Sequence, residues 1–290
     1  MSLRTVWNTI LSNIFQKINI PLVDPIVPPH HRIWWYLTGP LTFIPIHAAG
    51  PSGRTIDVSQ LVISSYVTTL GSLFEAHKRC QQASKNYEKL LCVAQPQTPG
   101  QSSLPQTTEE VNGVVHMFCL SGGSEDNVVC LHGSEATVDS VSTALDSSSW
   151  NHFACHGFQN PFHGMKSAFA LHDGCLEIGK IASKRLSNGR FPFLSPCEAA
   201  SGLKDLPGEA MHLAAGLQFT GIPSIIAPMW NICNEDSRKV ADETYQFLFR
   251  NGIQALHPSE AAIALNRAIL HLREDPSVTV GWAPFVHFGI

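Results

Sequence analysis

Residues 189–202 read GRFPFLSPCEAASG. An apolar run ends at Cys197 and gives way to small, polar, turn-prone residues, the pattern of a buried strand that stops at a rim. A second stretch, NHFACHG at residues 151–157, is built the same way and ends in His156 with Gly157 behind it. Around these two strands the pattern alternates. Strand NVVCLHG and helix TVDSVSTALDSS precede or flank them, followed by helix PGEAMHLAAGLQFTG, strand PSIIAPMW, helices EDSRKVADETYQFLFRNG and PSEAAIALNRAILHLRED, and a closing strand PFVHFGI. Ala210, Leu213, Ala214 and Leu217 share one helical face, and Ala261, Leu265, Ala268 and Leu272 share another. Such alternation predicts an α/β chain with a mostly parallel sheet covered by helices on both faces.

Upstream, RIWWYLTG and LVISSYV read as strands, LTFIPIHAAG as an apolar segment broken by Pro45, TLGSLFEAHKRCQQASKNYEK as a helix and LLCVAQP as a strand. Residues 95–109, QPQTPGQSSLPQTTE, have a composition that cannot fill a core, which predicts a flexible surface loop. The first residues carry Val6, Ile10, Ile14 and Ile18 at helical spacing before a proline-rich break. Residues 1–29 are therefore expected to form a packing helix and linker ahead of a single domain at 30–290.

Composition excludes several classes of function. With 44% hydrophobic residues the 290-residue chain can bury a substantial core. Only 14% of residues are charged, against about 25% in an average soluble domain, so an unusual share of the surface is uncharged, as a covered face would be. A net charge of −4 with no Lys/Arg block argues against nucleic acid or an anionic membrane as partner, leaving small molecules and polypeptides. No apolar run spans a bilayer and no signal peptide is legible, so the expected compartment is the cytosol. The 8 cysteines show no C-x-x-C and read as free thiols.

In an open parallel sheet, loops from neighbouring strands converge beyond the carboxyl ends, where backbone groups are exposed. His156 and Cys197 both sit there. Period-two alternation puts His156 opposite in direction to Phe153 and Cys155, and Cys197 on the face of Ser195. A free thiol is mostly protonated at neutral pH and its thiolate is the nucleophile, so an imidazole beside it supplies what the chemistry needs. The amides of Gly157 and Cys197 can then hold an oxyanion. By spacing alone a buried structural cysteine remains the commoner outcome.

The blocks WWYLTGPLTFIPIHAAG, HFACHG, SPCEAASGLKDLPGEAMHLAAGLQFTGIPSIIAPMW and PFVHFG resemble, in the same order, the CHAT domain family. These are caspase-like domains that commonly follow TPR repeats and are related to separases and caspases. The resemblance implies a three-layer α/β/α caspase-like sandwich and a cysteine endopeptidase acting on a polypeptide. It carries the catalytic dyad onto His156 and Cys197, carries the oxyanion-hole glycine onto Gly157, implies no cofactor, and makes residues 1–29 the junction to upstream repeats or a regulatory protein. Where the family usually shows a small residue and then Cys-Gln-Thr-Ala, this chain has Pro196, Cys197, Glu198, Ala199 and Ala200. Pro196 fixes φ and removes an N–H, and Glu198 sets a negative charge beside the thiol. Two rivals therefore stay open: a weakly active or inactive caspase-like interaction module, and an acyl-transfer enzyme working on small thioesters.

Other features carry less. GCLEIGKI, residues 174–181, lacks the Ser/Thr of a phosphate-binding loop at Ile181 and places Glu177 where phosphate would lie. His152 and His156 have zinc-protease spacing, but on a strand and without the glutamate, so no metal site is expected. His47 is expected to make a core hydrogen bond. Asp205 and Asp236 are candidate substrate-binding acids, although Glu235 and Asp236 also suit a helix start.

Overall fold

A computed structural model of the chain describes residues 2–22, 29–51, 56–82, 88–158, 160, 163–184, 186, 188–195, 209–230, 234–274 and 281–290. Its strands are β1 (Arg32–Trp35), β2 (Ile63–Tyr66), β3 (Leu90–Ala94), β4 (Val128–His132), β5 (Trp150–Ala154), β6 (Gly157–Phe158), β7 (Ala168–Ala170), β8 (Cys175–Glu177), β9 (Phe191–Leu194), β10 (Ser224–Pro228) and β11 (Phe285–Gly289). Eight of them form one sheet in the order β1-β2-β11-β10-β9-β5-β3-β4. Only the β10–β11 pair is antiparallel. The sheet is thus two parallel blocks of opposite direction, one of β10, β9, β5, β3 and β4 and the other of β11, β2 and β1, joined at that pair. β6, β7 and β8 make a separate small antiparallel sheet.

Alternation along the buried strands divides the core in two. Leu91, Val93, Phe153, Cys155, Leu194, Ile225 and Ala227 face one layer, which holds Val141 and Leu145 of the helix Val138–Ser147, Ile178 and Ile181 of the helix Ile178–Ser183, and Leu213, Ala214 and Leu217 of the helix Glu209–Phe219. Leu90, Cys92, Ala94, Trp150, Phe191, Phe193 and Ile226 face the other, built by the helices Thr107–Leu120, Asn234–Phe249 and Ala261–Glu274. The result is the expected α/β/α sandwich. Strands covered on both faces read as unbroken apolar runs, which is why all five residues of β3 are buried. Gly289 has φ +105°, and a Cβ there would stand 2.0 Å from the Pro223 carbonyl oxygen, so β11 closes onto β10 only with glycine at that point. No helix of the described residues is long and apolar enough to cross a membrane.

Two details are finer than the sequence pattern reads. In the N-terminal helical segment, residues 3–17, Val6 is buried but Ile14 and Ile18 are exposed, at 38% and 50%. The core ladder is Trp7, Leu11 and Phe15, because two aromatic rings bury more area than the isoleucines. Phe15 meets Trp35 of β1 at 6.4 Å, and a π-helical turn over Trp7–Leu11 accompanies this face. Residues 95–109 are not simply a surface loop. Gln95 and Leu104 are buried, Gln97 bridges to Ser103, and the helix Thr107–Leu120 begins inside the segment. Composition misses this because the contacts are made largely by main chain.

Candidate active site

The carboxyl ends of β3, β4, β5, β9 and β10 open on one rim. β5 and β9 are parallel neighbours, with Trp150 opposite Phe191 and Phe153 opposite Leu194. Beyond the last pair the Ser195 amide donates to the Phe153 carbonyl at 2.8 Å. The Ser195 hydroxyl meets that of Ser237, in the first turns of the helix Asn234–Phe249. Cys197, Pro196, Glu198 and Asp205 lie outside the described residues.

His156 follows β5 and is fully buried. Its Nε2 stands 2.8 Å from the carbonyl oxygen of Ser102, in the strap that follows β3. A carbonyl only accepts, so Nε2 carries the proton of the neutral ring and Nδ1 is its basic nitrogen. The strap is itself held in place: the Gln95 amide donates to the Ala154 carbonyl at 2.9 Å, Leu104 donates to the Pro96 carbonyl at 2.8 Å, and the Gln95 side-chain amide donates to the Gln97 carbonyl at 2.9 Å.

Gly157 opens β6 opposite Phe169 of β7. The Ala170 amide donates to the His156 carbonyl at 2.8 Å, which makes His156–Ala170 the hydrogen-bonded pair of the ladder. In an antiparallel ladder the next pair turns its N–H and C=O outward, so the Gly157 amide points away from β7.

His152, four residues earlier, serves a different layer. Its Nε2 lies 3.0 Å from a Glu110 carboxylate oxygen, its Nδ1 lies 3.2 Å from the Tyr245 hydroxyl, and its ring stacks on Phe193 at 5.3 Å. The two histidines therefore do not converge, and among the described residues no group of three His, Cys, Asp or Glu is arranged to hold a metal. GCLEIGKI forms β8 and the start of the helix Ile178–Ser183, with Ile178 and Ile181 in the core. His47 is buried, with Nδ1 2.8 Å from the Tyr66 hydroxyl.

Asp236 lies in the first turn of the helix Asn234–Phe249. Its carboxylate sits so close to Gly281 that a Cβ there would stand 2.0 Å from Oδ2. Glu235 pairs with Lys239 at 3.6 Å across one helical turn. Both placements suit a helix start more than a substrate pocket.

Among the described residues, two thiols touch imidazoles. Cys130 Sγ lies 3.0 Å from His132 Nε2 on β4, and Cys80 Sγ lies 3.4 Å from His257 Nε2. Burial, with Glu135 adding to it, pushes the Cys130 thiol up to about 11, and burial also raises Cys80 against the opposing charge of Arg190. Cys155, beside His156, is pushed up to about 12 by burial and faces the core. These thiols are held in the poorly nucleophilic protonated form.

The sequence names His156 and Gly157 as candidates but gives no sign of Ser102, Ser237 and Glu110, which the structure places against His156, Ser195 and His152. Ser102 acts through a carbonyl that every residue type carries, and Ser237 and Glu110 are set by packing between distant elements.

Solved structures of similar fold include the Arg-specific cysteine proteinase gingipain R, at 14% identity and a TM-score of 0.53, covering 81% of this chain and 56% of that one. The complex of Porphyromonas gingivalis RgpB pro- and mature domains matches at 15% identity and a TM-score of 0.53, covering 84% of this chain and 62% of that one. A Saccharomyces cerevisiae separase–securin complex matches at 12% identity and a TM-score of 0.54, covering 86% of this chain and 15% of that one. This chain spans 56–62% of the gingipain chains and a small part of separase, and at such identities the likeness concerns the caspase-like fold alone. No curated protein matches the chain by sequence. With residues 2–290 matching the family description, and with the sheet order and rim described above, the chain belongs to the CHAT domain family.

Proposed function

We propose that this domain is a cysteine endopeptidase in which Cys197 attacks the scissile carbonyl of a polypeptide and His156 manages the proton. The observation that carries the reading is the hydrogen bond from His156 Nε2 to the Ser102 carbonyl, which turns a basic Nδ1 toward whatever stands beside the imidazole. Strand register supports the partner. Leu194 lies 41 positions after its neighbour Phe153, the same separation as between His156 and Cys197.

In this mechanism Nδ1 takes the thiol proton as sulfur attacks and returns it to the leaving amine as the peptide bond breaks. The outward-facing amide of Gly157 and that of Cys197 hold the oxyanion in between. Water then hydrolyses the thioester with the imidazole as base. Asp205 and Asp236 are the candidate acids for holding a basic substrate side chain, with the contact to Gly281 making Asp236 the weaker candidate. Residues 1–29 would be the junction to upstream helical repeats or a regulatory protein.

The test is an electrophilic peptide probe followed by peptide mapping. Cys197 is the residue expected to be labelled, and Cys197→Ala and His156→Ala should each lower peptide cleavage by roughly a thousandfold or more. Cleavage that survives Cys197→Ala would end the reading. Labelling without any cleavage would favour the interaction module to which Pro196 and Glu198 point.

A further inference from the structure

The strap after β3 has two sides. At Ser102 its carbonyl faces the imidazole of His156. At the next residue, within about 3.8 Å along the chain, Ser103 lines a cavity of about 290 Å³. Pro96, Gln97 and Pro105 of the same strap line it too, together with Gly133 and Ser134 after β4 and His172 after β7. Such a volume is at the lower limit for a whole small-molecule ligand and suits one or two side chains of a larger one.

Its position decides which part of a peptide would reach it. The cavity lies at the carboxyl ends of β3 and β4, while β9, which leads to Cys197, lies on the opposite side of β5. In thiol peptidase chemistry the acyl part of the substrate bonds to sulfur, and the amine part leaves with the proton from the imidazole. The leaving peptide must therefore run on the imidazole side of the bond being cut.

The walls also carry a chemical preference. Among the described residues that line it, none is Lys, Arg, Asp or Glu. The carboxylates next to them in sequence are turned to other tasks: Asp173 Oδ1 accepts from the Val138 amide at 2.8 Å, and Glu135 Oε2 accepts from the His132 amide at 3.5 Å. The Gln97 amide, the Ser103 and Ser134 hydroxyls and the His172 ring supply neutral hydrogen-bonding groups.

We infer that this cavity is a specificity subsite for an uncharged, hydrogen-bonding side chain of the leaving peptide, on the opposite side of β5 from β9. The inference rests on the peptidase reading and adds to it which side of the cut is read and what chemistry is accepted. A charged side chain entering here would meet no fixed counter-ion among the described lining residues, whereas a neutral polar one would find hydrogen-bonding partners.

The experiment digests a proteome-derived peptide mixture with the purified chain and sequences the products by mass spectrometry. It is run in parallel with Cys197→Ala and with two variants that fill the cavity from different segments, Ser134→Trp after β4 and Gln97→Trp on the strap. The native chain should exclude charged residues at one fixed position after the cut. Each tryptophan variant should lose or shift that restriction, with kcat/KM for the formerly preferred peptides lower by about tenfold or more and the preference before the cut unchanged. The retained preference before the cut also reports that each variant is folded. Native cleavage with no restriction after the cut, a restriction that survives both fillings, or loss of all cleavage in both variants would overturn the subsite alone. Cleavage no greater than that of Cys197→Ala would instead overturn the peptidase reading itself.

Discussion

Acid should destabilise this protein through its buried imidazoles, and His47→Gln isolates the share of one of them. His47 is 3% exposed, with Nδ1 on the Tyr66 hydroxyl and its ring edge-on to Trp282. Burial pushes it down from 6.5 to about 4, opposed in part by the Ala283 backbone. The folded protein therefore holds His47 neutral where the unfolded chain would protonate it. As pH falls through 6.5 the unfolded state gains protons first and stability declines, until the folded state also protonates near pH 4. At roughly 1.4 kcal/mol per tenfold change in proton concentration, the interval is worth about 3 kcal/mol. His287, pushed well below its ordinary value by burial and by Arg32, contributes in both proteins and cancels from their difference. The assay is urea unfolding from about pH 7.5 to about pH 4.5. The glutamine variant should be weaker at neutral pH by about 1–3 kcal/mol for the lost hydrogen bond, and should then lose about 3 kcal/mol less than the native protein on acidification. Parallel stability curves would refute the reasoning.

Two further outcomes follow from packing. Glu88 and Arg190 form a buried ion pair, and Glu88 also accepts from the Trp150 indole and, at 3.2 Å, from the Ser149 hydroxyl. Arg190→Leu should cost about 3–5 kcal/mol in denaturant unfolding, and adding Glu88→Gln should recover part of it, because the penalty is the orphaned carboxylate. Leu104, 2% exposed, anchors the strap that carries Ser102. Leu104→Ala should cost about 2–5 kcal/mol and lower kcat by about tenfold with little change in KM, since it loosens the imidazole rather than the substrate; a matching rise in KM would contradict this.

The parts of the fold that were legible are those where local pattern and burial agree. LLCVA, FPFL and SIIAP announce strands covered on both faces, and the spacing of Ala261, Leu265, Ala268 and Leu272 gives the buried face of its helix. The strands of the small sheet escape notice because β6, β7 and β8 run two or three residues each, too short for any period to register. In the first helical segment the i+4 rule fits two ladders, one through Ile14 and one through Phe15, and only the position of Trp35 decides between them. At the candidate site, His156 and Gly157 stand out because residue type matters for proton transfer and for close backbone approach. The carbonyl that orients His156 does not, because a main-chain acceptor leaves no trace in composition.

β11 follows all the other described strands in sequence yet occupies the interior of the sheet, between β2 and β10, and among the described residues it is the one link by which the β1–β2 block is bonded to the rest of that sheet. During translation, hydrogen bonding across the whole sheet cannot be completed until residues 285–289 have emerged from the ribosome. Until then two half-sheets with open inner edges wait side by side, inviting chaperone binding or pairing with the wrong strand. A nonsense or frameshift lesion in or just before the codons for residues 285–289 would thus be felt by the whole sheet, its distant rim included.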